Sequence, residues 1–103
     1  MNGGYGEESL PKRLLIALDY DETYTEAPEL WRAFIRMAHG QGHQVICATM
    51  RHESEVGGMC GWLHNNVKVI PTGRKAKMAF LKELGYEPDI WIDDSPHYLM
   101  ADA

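Results

Sequence analysis

Four short apolar runs, at residues 14–18 (LLIAL), 45–48 (VICA), 67–70 (VKVI) and 90–92 (IWI), alternate along the chain with stretches whose apolar residues recur at helical spacing. Runs this short, bounded by polar residues, predict strands. The first, second and fourth contain no polar residue, the pattern of strands covered on both faces, whereas Lys68 interrupts the third and marks it as an edge. Between the first two runs, residues 28–40 open on Pro28, place Leu30, Trp31, Phe34, Ile35 and Ala38 on one face, and stop at Gly40. A second helix is predicted over 74–85, with Ala76, Phe80 and Leu84 on one side and Gly85 as its stop. Residues 53–64 form a weaker helical pattern through Val56, Cys60 and Leu63, because Gly57, Gly58 and Gly61 each cost about 1 kcal/mol of helix propensity relative to Ala.

Strand and helix in alternation imply parallel strands joined by right-handed crossovers. The expected fold is α/β, a small doubly wound (Rossmann-like) sheet of about four strands in the order 3-2-1-4, with helices on both faces. Residues 1–10 (MNGGYGEESL) lack an apolar period and read as a flexible lead-in to a single domain over 11–103.

A chain of 103 residues with 45% apolar content can bury one core without disulfides or structural zinc. Net charge is −5 and the basic residues are scattered, so the footprint of a nonspecific nucleic-acid binder is missing. Cys47 and Cys60, with no secretory pattern before them, read as reduced thiols of a cytoplasmic protein. No apolar stretch approaches the roughly 20 residues that span a bilayer.

In a doubly wound sheet the carboxyl ends of the strands share one edge, and ligands bind there. The first strand is followed by Asp19 and Asp21, the second by Thr49 and Arg51, the third by a loop leading to Lys75 and Lys77, and the fourth by Asp93 and Asp94. Carboxylates from two strand ends suit Mg²⁺, which keeps waters and a phosphate oxygen as its other ligands. A carboxylate beside the metal can attack phosphorus while a hydroxyl and a lysine hold the transferring oxygens.

These residues resemble the motifs of the haloacid dehalogenase-like (HAD) superfamily. DYDET (19–23) resembles its DxDxT signature, VICAT (45–49) its second motif, Lys75 or Lys77 its helix-opening lysine, and WIDDSP (91–96) its strand ending in DD. The resemblance spans 14–96 and is similar to small, capless phage and bacterial phosphatases. It implies a phosphoric monoester hydrolase in which Asp19 is the nucleophile that becomes an aspartyl-phosphate and Asp21 is the general acid and then base. It further implies that Thr49 and the lysine contact the substrate phosphate; Arg51 reads either as a further phosphate contact or as a solvated surface residue. Lys77 is favoured by the similarity of AKMAFLKELG to the helix start of small relatives, with Lys75 as the alternative. Mg²⁺ would be held by Asp19, the Asp21 backbone carbonyl and Asp94, with Asp93 behind them or acting through water. Only a short flap over 20–27 follows the first motif, and no cap domain fits. By the resemblance, capless members suit large substrates such as phosphoproteins or nucleic-acid ends, or form a homo-oligomer that covers the site; the expected partner is a phosphorylated small molecule or a macromolecular end.

Competing readings are fewer. Glu22 and Thr23 read as local hydrogen-bonding groups of the turn, and His97 as a residue beside the site. His52, Cys60 and His64 offer only three candidate zinc ligands on a weak helix. A calcium loop counted from Asp19 has Tyr24 where Gly is required and Leu30 where Glu is required. A two-component receiver would need its acid pair after the first strand and its phosphorylated Asp after the third. The alternative from another class is a noncatalytic HAD-like module that binds metal and a phosphorylated partner.

Overall fold

The computed structural model describes residues 12–103, so the expected lead-in over 1–10 lies outside the described residues. Four strands, β1 (Leu15–Leu18), β2 (Gln44–Thr49), β3 (Lys68–Pro71) and β4 (Ile90–Ile92), form one sheet in the order β3-β2-β1-β4. Every pairing is parallel, with Leu18 opposite both Cys47 and Ile92. This is the 3-2-1-4 order expected from the sequence. Helices α1 (Pro28–Gly40), α2 (Gly61–Asn66) and α3 (Lys77–Glu83) are interleaved with the strands.

Side-chain alternation on the strands divides the core in two. Ile16, Leu18, Val45 and Cys47 face α1 and α2 and pack with Ile35, Ala38 and Leu63, whereas Ala17, Ile46, Ala48 and Ile70 face α3 and pack with Leu81. Burying side chains such as Leu18, Ile46 and Leu81, each 0% exposed, contributes about 1.5–3 kcal/mol apiece.

The structure alters four details of the expected elements. The fourth run reads as a covered strand, yet β4 is the second edge and Ile90 is 42% exposed. The chain beyond it forms a 3₁₀ turn at Pro96–Leu99 and runs to α3, where Asp102 Oδ1 accepts from the Ala76 amide at 2.7 Å. The helix expected over 53–64 is broken into a 3₁₀ segment (Glu53–Gly58) and α2, because Met59 adopts an extended conformation and buries its side chain in the core. The helix expected over 74–85 starts only at Lys77, since Arg74 has φ +73° and Ala76 has ψ 124°, neither of which a right-handed helix accommodates. Its buried face is Lys77 and Leu81 rather than Ala76 and Leu84, and Leu84 is exposed, as is Leu30 on α1.

The flap after β1 is a turn closed by a 3₁₀ segment at Tyr24–Glu26. Tyr20 and Tyr24 stack at 5.6 Å and are buried, and the Tyr20 hydroxyl accepts from the Cys60 amide at 3.0 Å. Two buried aromatic anchors thus hold the loop that carries Asp21 to Thr23. Among the described residues no helix is long and apolar enough to cross a membrane.

Candidate functional site

The carboxyl ends of β1 and β4 lie side by side because these strands are paired, and the Asp19 amide continues the ladder by donating to the Ile92 carbonyl at 2.9 Å. That register brings Asp19 next to Asp93 and Asp94. Lys77 enters from the first residue of α3, with 2% of its surface exposed, and donates to Asp19 Oδ1 at 2.7 Å and Asp93 Oδ2 at 2.6 Å. Lys75, two residues earlier, is exposed. A buried ammonium between two carboxylates satisfies the requirement that interior charges be paired.

On the other side of Asp19, Thr23 Oγ1 lies 3.1 Å from Asp19 Oδ2 and donates to Asp94 Oδ1 at 2.8 Å, while accepting from the Asp94 amide at 3.2 Å. A hydroxyl has one proton to give. With that proton on the shorter bond to Asp94, Asp19 Oδ2 faces a lone pair, which disfavours its charged form. Burial, the largest influence, accordingly pushes the Asp19 carboxyl up to about 6, against the opposing pull of Lys77. Asp94 is held below the usual carboxylate range, first by the hydrogen bond from Thr23. Burial works against the Lys77 ammonium, but its bonds to Asp19 and Asp93 outweigh this and raise it.

Asp21 points to a different partner. Arg51, just beyond β2, donates from Nε at 2.9 Å and from Nη2 at 2.8 Å to its two carboxylate oxygens. This fork-to-fork pair holds Asp21 below its ordinary value, with the Arg51 hydrogen bonds the leading cause. The guanidinium lies 5.2 Å from the centre of the Tyr20 ring. Thr49 is buried, and its Oγ1 accepts from the Arg51 amide at 3.2 Å, which leaves its own proton free to be donated.

Asp19, Asp21, Lys77, Asp93 and Asp94 line one open cleft of about 290 Å³. Thr49, Arg51 and His97 are not among its lining residues; Arg51 reaches it through Asp21, and His97 is exposed and packs edge-on against Tyr98, which does line it. Arg74, Met50 and Ser95 also line the cleft and were not picked out by the sequence. Thr23 reads as a local turn group and is one, but it also couples Asp19 to Asp94, 71 residues away.

Among the described residues, the one group of three acidic or metal-ligating side chains close enough to share an ion is Asp19, Asp93 and Asp94, whose ligand atoms lie within 4.8 Å of one another. His52, Cys60 and His64 do not form such a group, and a ring nitrogen of His64 lies 2.9 Å from the Val56 carbonyl oxygen.

No family model, curated protein or solved structure matches the chain. The site is therefore read from its own chemistry. Four carboxylates (Asp19, Asp21, Asp93, Asp94) are offset by two cations (Lys77, Arg51), leaving two negative charges among hard oxygen donors. A divalent cation that favours oxygen fits this imbalance.

Proposed function

We propose that the chain is a Mg²⁺-dependent phosphatase that hydrolyses phosphomonoesters through an aspartyl-phosphate on Asp19, the activity implied by its resemblance to small HAD-like hydrolases. The observation that carries this reading is the suspension of one buried carboxylate, Asp19, between a fixed cation, Lys77, and the acid pair at the end of β4. A carboxylate held this way is oriented for attack, and the neighbouring charge favours its ionised form once the acids are neutralised.

An oxygen of Asp19 forms the bond to phosphorus while the ester oxygen leaves with a proton from Asp21. Asp21, now a carboxylate, takes a proton from water as the water oxygen attacks the phosphorus, and Asp19 is released with inorganic phosphate. For the first step Asp21 must part from Arg51 and take up a proton, and the substrate phosphate is the natural competitor for that guanidinium. Lys77 neutralises an oxygen of the phosphoryl group, and the resemblance gives Thr49, buried behind the cleft, as its hydrogen-bond donor. Asp19, the Asp21 carbonyl and Asp94 would hold Mg²⁺, with Asp93 anchoring Lys77 and acting behind them. When bound, the ion supplies charge neutralisation and orientation of the phosphoryl oxygens. A phosphorylated small molecule or macromolecular end is the substrate class, since the cleft is open.

The Arg51–Asp21 pair favours one other reading, a noncatalytic module that binds metal and a phosphorylated partner with its acid permanently engaged. Inorganic phosphate release from an aryl phosphate and from a panel of nucleotides, phosphosugars and phosphopeptides separates the two. Mg²⁺-dependent release that EDTA and Asp19→Asn abolish supports the phosphatase. A folded wild type that binds Mg²⁺ and releases nothing from the panel overturns it in favour of the module.

A further inference from the structure

The cleft has a second cation that the reaction above does not use. Arg74 lines it, in the loop between β3 and α3, with φ +73°, a conformation that residues other than Gly and Asn rarely adopt. The surrounding contacts impose that conformation. The Arg74 amide donates to the Met50 carbonyl at 2.8 Å, the Gly73 amide donates to the Arg51 carbonyl at 3.0 Å, and the Arg74 carbonyl accepts from the Ala103 amide at 2.8 Å. Two of these bonds pin Gly73 and Arg74 against the loop after β2, and the third ties Arg74 to Ala103. A glycine would meet the backbone requirement, so the arginine side chain needs a reason of its own.

Its side-chain partners leave capacity for a ligand. Nη1 donates to the Met50 carbonyl at 2.7 Å and lies 3.5 Å from Glu55 Oε1, and among the described residues Nε and Nη2 have no hydrogen-bond partner. The side chain is 44% exposed. A guanidinium anchored at one nitrogen, with its remaining donors at the wall of a phosphate cleft, is built to receive a planar or tetrahedral anion.

We propose, resting on the phosphatase reading, that Arg74 forms a second anion subsite and selects substrates that carry another phosphate beside the one removed. The extra phosphate is a monoester, as in a nucleoside bisphosphate, or a diester, as in an oligonucleotide end; both present the same anionic oxygens. Arg74 is a specificity residue and takes no part in the bond-breaking steps.

The test compares adenosine 5′-phosphate, adenosine 3′,5′-bisphosphate and a 5′-phosphorylated dinucleotide as substrates of the wild type, Arg74→Ala and Arg74→Lys. In parallel, calorimetry measures binding of the same three compounds to Asp19→Asn and to Asp19→Asn/Arg74→Ala, in Mg²⁺. The expected result is a wild-type kcat/KM about tenfold higher for at least one doubly phosphorylated compound than for the monophosphate, carried by KM, as for one partly exposed charge-assisted contact. Arg74→Ala brings the ratio near one and Arg74→Lys keeps part of it. A gain for the bisphosphate alone identifies a monoester as the second group, and a gain for the dinucleotide identifies a diester. A wild-type ratio near one, or a ratio that Arg74→Ala leaves unchanged, overturns the subsite and makes Arg74 a loop staple. Whether or not these compounds release phosphate, the ratio of dissociation constants decides whether the subsite exists, while the phosphatase reading stands or falls on the wider panel above.

Discussion

Replacing Lys77 with Met removes the charge at the centre of the site while keeping most of the side chain's volume. In the wild type the ammonium is 2.7 Å from Asp19 and 2.6 Å from Asp93, and the side chains of Lys77 and Asp93 are each 3% exposed. Without it, two carboxylates with little access to water lose their counter-charge. Breaking a buried ion pair by deleting one partner costs about 3–5 kcal/mol, a large share of the roughly 5–15 kcal/mol that stabilises a domain. With a urea slope of about 1–3 kcal/mol per M, the denaturation midpoint in EDTA falls by at least about 1 M, read by circular dichroism. The loss is greater at pH 8 than at pH 5, because only at low pH can protons replace the missing cation. Adding Asp93→Asn to Lys77→Met recovers part of the stability, since an amide needs no counter-charge. Mg²⁺ stabilises the Lys77→Met variant more than the wild type, because the ion then carries the whole of the neutralisation. A Lys77→Met protein within about 1 kcal/mol of the wild type in EDTA at pH 8 would refute the reasoning and reduce the network to the worth of a surface pair.

Three further outcomes follow from the same geometry. Burial pushes the Asp19 carboxyl up to about 6 in the folded, metal-free protein from its ordinary value of 3.8, so its contribution to stability is fully present below about pH 4 and is lost as pH rises through about 6; urea midpoints in EDTA should show Asp19→Asn gaining on the wild type between pH 4 and pH 7. Thr23→Val removes the hydroxyl shared by Asp19 and Asp94 without removing a charge, and Mn²⁺ titration followed by electron paramagnetic resonance should show affinity falling about tenfold, as for loss of a group that orients a metal ligand. Gly73→Ala meets both a φ of +63° and a Cβ position 3.0 Å from His52 Nδ1, so thermal melting should show a destabilisation of about 1 kcal/mol or more.

The sheet order and the convergence of acids were legible in the sequence because both follow from short-range pattern plus one topological rule. Apolar runs separated by helices force parallel strands, and parallel strands bring Asp19, Thr49 and Asp93 to one edge. What depends on contacts across the chain was not legible. Thr23 looks like a turn residue because its second partner, Asp94, is 71 positions away. Lys75 and Lys77 both fit the start of a helix by pattern alone; the left-handed turn at Arg74, set by bonds to Met50 and Ala103, starts α3 at Lys77 and buries that lysine. The same turn explains why Arg74 was absorbed into a predicted helix and its place in the cleft missed. β4 reads as a covered strand because three apolar residues carry no information about whether a neighbour lies beyond them.

That edge position ties the lifetime of the site to local opening of the chain. β4 is three residues long, flanked among the described residues on one side only, and joined to β1 with help from the Asp89 amide to Leu15 carbonyl bond at 2.8 Å and the Asp89 carboxylate on the Leu15 amide at 2.9 Å. A short edge strand with a half-exposed isoleucine frays at a lower free energy than the central pair β1–β2. When it frays, Asp93 and Asp94 leave together, Lys77 loses one of its two acids, and Thr23 loses its long-range partner. Hydrogen exchange should therefore find the amides of Trp91 and Ile92 less protected than those of Ile16 and Ile46, with a divalent cation slowing exchange first at the edge.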